Sequence, residues 1–229
     1  MAVIAEGANL WDVTLETFEE WMAKAGRKFI ARAFQKVYYY SFVWMGTYWL
    51  GVPVAKNPLD LWIYQEIIQE TKPQVLIETG SYKGGSALFF ASLFDLIGEG
   101  RVVTIDIEDT AARHLSHPRI TSIVGSSVSD DVVYQLRKIV GNQTAMVSLD
   151  SDHSAKHVLR EMELYSQFVS TGNYIVVEDT ELKGPGPGKA VTRFLKDRKD
   201  FVQDRSREKF MVTSNRGGFL KRVQNKPNF

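Results

Sequence analysis

The chain has 229 residues, enough to bury a full hydrophobic core in one domain with some elaboration. Apolar residues make up 44% and charged residues 24%, and the formal net charge of +1 gives no overall field that favours nucleic acid or an anionic membrane. The sequence has no cysteine, which excludes disulfides, thiolate metal sites and cysteine nucleophiles and fits a cytoplasmic protein.

Residues 1–57 predict a helical and aromatic N-terminal extension. An amphipathic helix begins near Thr14, and the aromatic segment 37–54 (VYYYSFVWMGTYWLGVPV) follows it. The segment is short for a membrane span and contains hydroxyl groups, glycines and a proline. We therefore expect a lid or an oligomer interface and no stable membrane insertion, with an interfacial membrane contact as the alternative.

Residues 58–229 predict a separate catalytic domain in which apolar strands alternate with helices. The first helix opens at Pro58, because the residue before a proline disfavours the helical conformation and a proline suits the first helical turn. Continuous Val/Ile/Leu strands separated by helices indicate an α/β, Rossmann-like fold: a mostly parallel seven-stranded sheet with helices on both faces. The predicted strands are 75–78, 101–106, 120–124, 145–150 and 174–179, followed by a C-terminal antiparallel hairpin of 209–213 and 218–223.

Chemistry-bearing residues follow the first three strands. Glu78 leads into the turn TGSYKGGS, whose glycines let the backbone approach a ligand beside a helix N-terminus, although a plain turn has the same composition. Asp106 ends the second strand, where a carboxylate is placed to accept hydrogen bonds from ribose hydroxyls; a solvent-facing acid is the alternative. Ser126 follows the third strand and is expected near an adenine edge.

The pattern E-x-G-x-x-x-G-x-S in this turn looks like the first motif of class I S-adenosylmethionine-dependent methyltransferases. It lacks both the G-x-G-x-x-G spacing for a pyrophosphate and the Gly-Lys-Ser/Thr ending of a phosphate-binding loop. The expected cofactor is therefore S-adenosylmethionine. Its predicted contacts are Glu78, Thr79, Gly80, Ser81, Gly84, Ser86, Asp106, Ile107, Ser126 and Asp150.

Two acidic clusters end the fourth and fifth strands. They read Asp150-Ser-Asp152-His153 and Glu178-Asp179. Carboxylates on neighbouring strand ends repel one another unless a proton or a cation neutralises them, so these residues are either metal ligands or solvated strand ends. Oxygen ligands suit Mg²⁺ or Mn²⁺, while His153 and His157 keep Zn²⁺ possible. A metal-bound hydroxyl needs a base, and His153 is the candidate, with a structural histidine as the alternative.

Five segments resemble the rhamnosyl O-methyltransferase and cephalosporin hydroxylase family over about residues 45–223. They are WLGVPVAKNPLDLWIYQEII, LIETGSYKGGSALFFASL, DSDHSAKHVLREMELY, TGNYIVVEDT and GPGPGKAVTRFL. The resemblance implies a Rossmann-like methyltransferase fold, S-adenosylmethionine, Mg²⁺ held by the two acidic clusters, and a homo-oligomer.

Catechol-type and macrolide-sugar O-methyltransferases are similar in the spacing of their acids. That similarity implies Asp150 as a metal ligand, His153 as the base, and Glu178 and Asp179 as the remaining ligands. Asp152 is the competing ligand, and one of the two aspartates can instead contact the cofactor.

The sequence therefore predicts a metal-dependent O-methyltransferase acting on a hydroxyl of a small molecule, a sugar or another natural product. A hydroxylase or oxygenase component and a non-catalytic scaffold that binds the cofactor are the alternatives. The neutral charge argues against a nucleic-acid substrate. Lys56 and Lys83 are expected to be solvated, with contact to an acidic substrate as the alternative. The segment 181–190 (ELKGPGPGKA) is either a lid or a plain surface loop.

Overall fold

The computed structural model describes residues 10–109, 116–181 and 186–224. The chain divides into two compact units, Met1–Phe42 and Val43–Phe229. In the first unit, helix α1 (Leu10–Tyr40) begins before Thr14, the predicted start, and extends into the aromatic segment 37–54. Within the described ranges, no helix is long and apolar enough to cross a membrane.

The second unit contains the sheet. Its elements in chain order are β1 (Tyr48–Trp49), β2 (Val52–Pro53), α2 (Pro58–Thr71), β3 (Val75–Thr79), α3 (Gly85–Ile97), β4 (Arg101–Asp106), β5 (Ile120–Val124), α4 (Asp130–Val140), β6 (Ala145–Leu149), α5 (Ala155–Tyr165), β7 (Tyr174–Val177), α6 (Pro187–Asp197), β8 (Phe201–Gln203) and β9 (Phe219–Arg222). Short 3-10 turns cover Val43–Gly46 and Arg205–Glu208. Residues 182–185 of the candidate lid lie outside the described residues.

The seven-stranded sheet has the order β5-β4-β3-β6-β7-β9-β8. Strands β3 to β7 pair in parallel, whereas β9 pairs antiparallel with both β7 and β8. This confirms the predicted mostly parallel sheet with a C-terminal antiparallel element. The strand order reverses between β3 and β6, and ligands of such sheets bind in the crevice outside the carboxyl ends at that reversal.

The predicted strand 209–213 is wrong, because β9 pairs instead with the earlier and shorter β8. Residues 209–213 form turns and bends. Thr213 is buried, yet its hydroxyl donates a hydrogen bond to the carboxylate of Asp60 on α2, and the Ser214 N–H donates to the other oxygen. Val212 and Thr213 are therefore buried in an irregular loop, Met211 is exposed, and the segment adds no strand to the sheet.

Side chains of the central parallel strands β3, β6 and β7 are buried on both faces of the sheet. Every residue of β3 is buried: Val75 and Ile77 belong to the core cluster that includes residues of α4, α5 and α6, while Leu76 belongs to the cluster with α2 and α3. Alternate residues of a strand point to opposite faces, so two covered faces produce a continuous apolar run.

The start of α2 is also as predicted. Pro58 occupies the first turn, and the side chain of Asn57 accepts a hydrogen bond from the Leu59 N–H. An N-cap of this kind satisfies a backbone donor that has no partner inside the helix. The cap fixes the chain immediately after Lys56, the residue that enters the site described next.

Candidate functional site

A cavity of about 630 Å³ opens at the carboxyl ends of the parallel strands. Its size is within the usual range of small-molecule sites. The predicted residues that line it are Gly80, Ser86, Asp106, Ile107, Ser126, Asp150, Asp152, His153 and Asp179. Four others, Glu78, Thr79, Ser81 and Glu178, are buried and do not belong to its lining, nor does Gly84.

The glycine turn after β3 brings three strand ends together. The Gly80 N–H donates to the Ile105 carbonyl at 2.8 Å, and the Asp150 N–H donates to the Thr79 carbonyl at 3.0 Å. Gly80 has φ +84°, and a Cβ there would lie 2.0 Å from the carbonyl oxygen of Asp150. Only glycine fits this conformation and this close approach.

Glu78 is buried behind the glycine turn and forms hydrogen bonds there. Its side chain is fully buried, and the Thr104 hydroxyl donates to Oε2 at 2.7 Å. Burial raises the pKa of Glu78, against the opposing effects of Lys56 and of hydrogen bonds from Ser86 and Thr104. Oε1 has no hydrogen-bond partner among the described residues. Glu78 thus links β3, β4 and the first turn of α3 behind the cavity wall.

Asp106 presents its carboxylate to the cavity. Its Oδ2 accepts a hydrogen bond from the Tyr82 N–H at 3.0 Å, and its Oδ1 accepts one from the Glu108 N–H at 3.0 Å. A carboxylate can accept about four hydrogen bonds, so two backbone partners fix the group and leave acceptor capacity for a ligand. Ile107, 73% exposed, and Ser126 line the cavity nearby.

Asp150, His153 and Asp179 form a compact group in which one ligand atom from each lies within 4.8 Å of the others. His153 Nε2 is 3.4 Å from Asp150 Oδ1 and 3.1 Å from Asp179 Oδ2. Two carboxylates and an imidazole are a donor set that fits a divalent cation such as Mn²⁺ or Mg²⁺, with water or substrate oxygens as further ligands. The group contains one histidine, whereas an iron(II) oxygenase triad needs two.

The two carboxylates also set the protonation of His153. Hydrogen bonds to Asp150 and then to Asp179 raise the pKa of His153 to about 10, and partial burial opposes the shift only in part. Without a cation, the imidazolium therefore places one positive charge between the two aspartates.

Glu178 lies in a different network. Its Oε1 accepts hydrogen bonds from Lys56 Nζ at 2.8 Å, Tyr64 OH at 2.8 Å and Ser148 Oγ at 3.0 Å. Lys56 Nζ also donates to Asp150 Oδ2. The expectation that Lys56 is solvated is wrong, because the residue is only 5% exposed. Burial favours the neutral amine, but the charges of Asp150 and Glu178 outweigh it and raise the pKa of Lys56.

This network was not found from the sequence. Ser148 was the available signal, as a polar residue inside the apolar strand AMVSLD. Tyr64 lies among the apolar positions of α2, where the sequence pattern predicts that an aromatic residue belongs to the hydrophobic core. Lys83 is exposed, as expected.

Asp152 and His157 lie beside this group, but their side chains form hydrogen bonds with residues outside it. Asp152 Oδ1 accepts a hydrogen bond from the Ser154 N–H at 2.6 Å, and Ser154 is the N-cap of α5. His157 Nε2 lies 3.1 Å from Ser127 Oγ and 3.6 Å from Glu161 Oε1. Asp152 therefore lines the cavity while its carboxylate supports the turn into α5.

Asp179 has an unusual backbone. Its φ of +54° is in the left-handed region, which costs a residue other than glycine ~1–3 kcal/mol unless the surroundings stabilise it. The Asp179 N–H donates to Asn215 Oδ1 at 3.1 Å. Such strain is concentrated at functional sites, in agreement with the position of Asp179 beside the cavity.

The sequence model of the family described as Rhamnosyl O-methyltransferase/CmcI matches residues 41–223. The rhamnosyl O-methyltransferase of Mycobacterium leprae is 39% identical over 208 residues, covering 83% of this chain and 90% of that protein. The corresponding protein of Mycobacterium tuberculosis H37Rv is 35% identical over 206 residues, covering 83% and 84%.

Solved structures have the same fold. A structure of CmcI with Mg and S-adenosylmethionine superposes with a TM-score of 0.63 at 20% identity, covering 79% of this chain and 78% of that one. The O-methyltransferase TomG from Streptomyces achromogenes, in complex with S-adenosylmethionine, superposes with a TM-score of 0.53 at 18% identity, covering 76% and 83%. At these identities the similarity establishes the fold alone.

Proposed function

Because the chain belongs to the rhamnosyl O-methyltransferase/CmcI family, we propose that it transfers the methyl group of S-adenosylmethionine to a hydroxyl of a small molecule at a divalent metal site. The observation that carries the proposal is a single cavity lined both by the glycine turn with Asp106 and by the group Asp150, His153 and Asp179. Methyl transfer requires the donor and the acceptor hydroxyl to meet in one enclosed space.

S-adenosylmethionine would bind along the strand ends of β3, β4 and β5. The Asp106 carboxylate is fixed by two backbone N–H groups and has acceptor capacity for the ribose hydroxyls. Ile107 and Ser126 are suited to the base, and Gly80 lets the methionyl part approach the backbone. These assignments agree with the motif in the sequence.

Asp150 and Asp179 would hold the metal, with His153 beside them. When bound, Mg²⁺ or Mn²⁺ would lower the pKa of the acceptor hydroxyl and orient it toward the methyl donor. Lys56 keeps Asp150 Oδ2 occupied, so Asp150 Oδ1 faces the other members of the group.

His153 would accept the hydroxyl proton at Nε2. In the metal-free protein, hydrogen bonds to Asp150 and Asp179 keep His153 protonated. Binding of the metal by those two carboxylates would release that proton. The neutral imidazole is then a base of suitable strength near neutral pH. Asp152 is less suited as a ligand, since its carboxylate supports the Ser154 turn.

The acceptor would be a sugar hydroxyl or a related natural-product hydroxyl. The curated relatives are named rhamnosyl O-methyltransferases, and Trp44, Met45 and Val54 add apolar surface to the cavity wall. Such surface suits the apolar face of a deoxysugar.

Methyl transfer tests the proposal. The protein is incubated with methyl-labelled S-adenosylmethionine, Mg²⁺ and a panel of rhamnosides and other hydroxylated glycosides. We expect label in one acceptor, loss of transfer with a chelator, and loss in Asp179→Asn. Label that remains in S-adenosylmethionine with every acceptor and every divalent metal would contradict the proposal.

Copies of the chain would associate into an oligomer. Four large apolar side chains of α1 are 52–76% exposed: Phe29, Ile30, Phe34 and Val37. Exposed apolar area of this kind supports an interface. A monomeric mass by light scattering over all concentrations tested would rule this out.

A further inference from the structure

A buried loop between Met211 and Gly218 contacts the chain just after β7. Asn215 is fully buried in this loop. Its Oδ1 accepts the Asp179 N–H at 3.1 Å, and its carbonyl accepts the Gly218 N–H at 2.8 Å. The side chain of one loop residue thus contacts the backbone of a candidate metal ligand.

The loop itself is tied to α2. The Asn215 N–H donates to Thr213 Oγ1 at 3.0 Å, and the Thr213 hydroxyl donates to Asp60 Oδ1. The Ser214 N–H donates to Asp60 Oδ2 at 2.8 Å. A continuous set of hydrogen bonds therefore runs from Asp60 on α2 to the backbone of Asp179.

Asp179 needs an acceptor that the sheet does not supply. The last ladder pair of β7 and β9 is Val176 with Phe219, so the Asp179 N–H lies beyond the paired part of the strand. A buried N–H group requires a partner, and the left-handed φ of Asp179 requires stabilisation by its surroundings. Asn215 Oδ1 meets both requirements with one contact.

We propose that Asn215 is a positioning residue, whose amide oxygen fixes the backbone of Asp179 so that its carboxylate faces Asp150 and His153. The inference rests on the proposed metal site and goes beyond it, because Asn215 is not among the cavity-lining residues. Residues that orient metal ligands typically change metal affinity by about 10–100-fold when they are removed.

The test measures Mn²⁺ binding by the loss of the free-ion electron paramagnetic resonance signal, without acceptor or turnover. We expect Asn215→Ala to raise the Kd for Mn²⁺ about tenfold or more. Asn215→Asp keeps an acceptor oxygen and is expected to bind Mn²⁺ more tightly than Asn215→Ala. Ser214→Ala is the matched control, because Ser214 contacts Asp60 and Thr180 through its backbone. S-adenosylmethionine affinity without metal should be unchanged in all three.

An unchanged Kd for Mn²⁺ in Asn215→Ala would overturn the proposal, as would equal weakening in Ser214→Ala. Should Asn215→Ala fail to fold, Thr213→Val takes its place, and an unchanged Mn²⁺ affinity in that variant overturns the proposal equally. If the wild type binds S-adenosylmethionine but no Mn²⁺, both the proposed metal site and the role of Asn215 are contradicted. If the wild type binds Mn²⁺ and Asn215→Ala leaves the Kd unchanged, only the role of Asn215 is contradicted.

Discussion

Lys56 Nζ lies 2.8 Å from Glu178 Oε1 and also donates a hydrogen bond to Asp150, so one buried ammonium joins the ends of β6 and β7. Lys56 comes from the segment just before α2, 94 residues from Asp150 along the chain. Glu178 therefore pairs with Lys56 and Asp179 faces His153, while Asp150 contacts both Lys56 and His153.

Lys56→Met should lower the free energy of unfolding by about 3–5 kcal/mol, because removing Lys56 leaves the buried Glu178 without its cation, whereas Asp150 still faces His153. Urea denaturation at neutral pH measures the change. The double variant Lys56→Met/Glu178→Gln should recover part of the loss, since the uncompensated Glu178 carboxylate is then removed. A single variant as stable as the wild type would show that the ammonium does not stabilise this network.

Gly80→Ala should be much more damaging than Gly98→Ala. Both glycines have a left-handed φ, +84° and +91°, but a Cβ at Gly98 meets no atom within 4 Å, whereas one at Gly80 would overlap the Asp150 carbonyl. Gly98→Ala should cost only the conformational term, ~1–2 kcal/mol. Gly80→Ala adds the steric overlap, ~1–3 kcal/mol or more. Equal melting temperatures for the two variants would contradict the close approach.

Asp200→Asn should destabilise the protein at neutral pH by ~1.5–3 kcal/mol, the value of hydrogen bonds to a charged group. Asp200 is buried and accepts from Arg198 Nε at 2.8 Å and Nη2 at 2.7 Å. Burial opposes ionisation, but Arg198 outweighs it and lowers the pKa of Asp200.

The sign of this pH dependence follows from the lowered pKa. The carboxylate stabilises the folded state above the unfolded pKa of about 3.9, and the stabilisation is lost as the pH falls through the folded pKa. The difference between wild type and Asp200→Asn should therefore shrink in acid. Asp197→Asn, at an exposed position paired weakly with Arg193, is the control and should show no difference at either pH.

His153 should remain protonated well above neutral pH in metal-free protein, because its pKa is raised to about 10. Imidazole nuclear magnetic resonance signals followed against pH measure this directly. Saturating Mg²⁺ should lower the apparent pKa, since a cation at Asp150 and Asp179 removes the charges that favour the imidazolium. An apparent pKa near 6.5 without metal, unchanged by Mg²⁺, would contradict the grouping.

The sheet was predictable because its central strands β3, β6 and β7 are buried on both faces. Residues 101–106 and 120–124 match β4 and β5 in full, and each apolar run is bounded by polar or glycine residues. The family and its methyltransferase class were predicted from motifs and are confirmed by the match over residues 41–223.

The C-terminal hairpin was only half predictable. Residues 209–213 have strand-like composition, yet Thr213 and the adjacent Ser214 hydrogen-bond to Asp60 on α2, a partner that no local pattern reveals. The true strand β8 has three residues, too few to produce a periodic signal.

The site was predictable where it depends on strand ends. Parallel strands place their carboxyl ends side by side, so Asp150 and Asp179 could be brought together without any structure. The positions of Lys56 and Asn215 in the site could not be predicted. Both come from loops distant in sequence, and their roles depend on burial, which the composition does not reveal.

Titration of S-adenosylmethionine by calorimetry tests whether the chain binds this methyl donor through Asp106. Wild-type protein is compared with Asp106→Asn and with Asp131→Asn, a matched substitution on the exposed surface of α4, each in Mg²⁺ and in chelator. We expect the wild type to bind S-adenosylmethionine in both conditions and Asp131→Asn to bind it equally well. Asp106→Asn should bind it tenfold or more weakly, a loss of about 1.4 kcal/mol in binding free energy. No binding by the wild type in either condition, or full affinity in Asp106→Asn, would contradict this expectation.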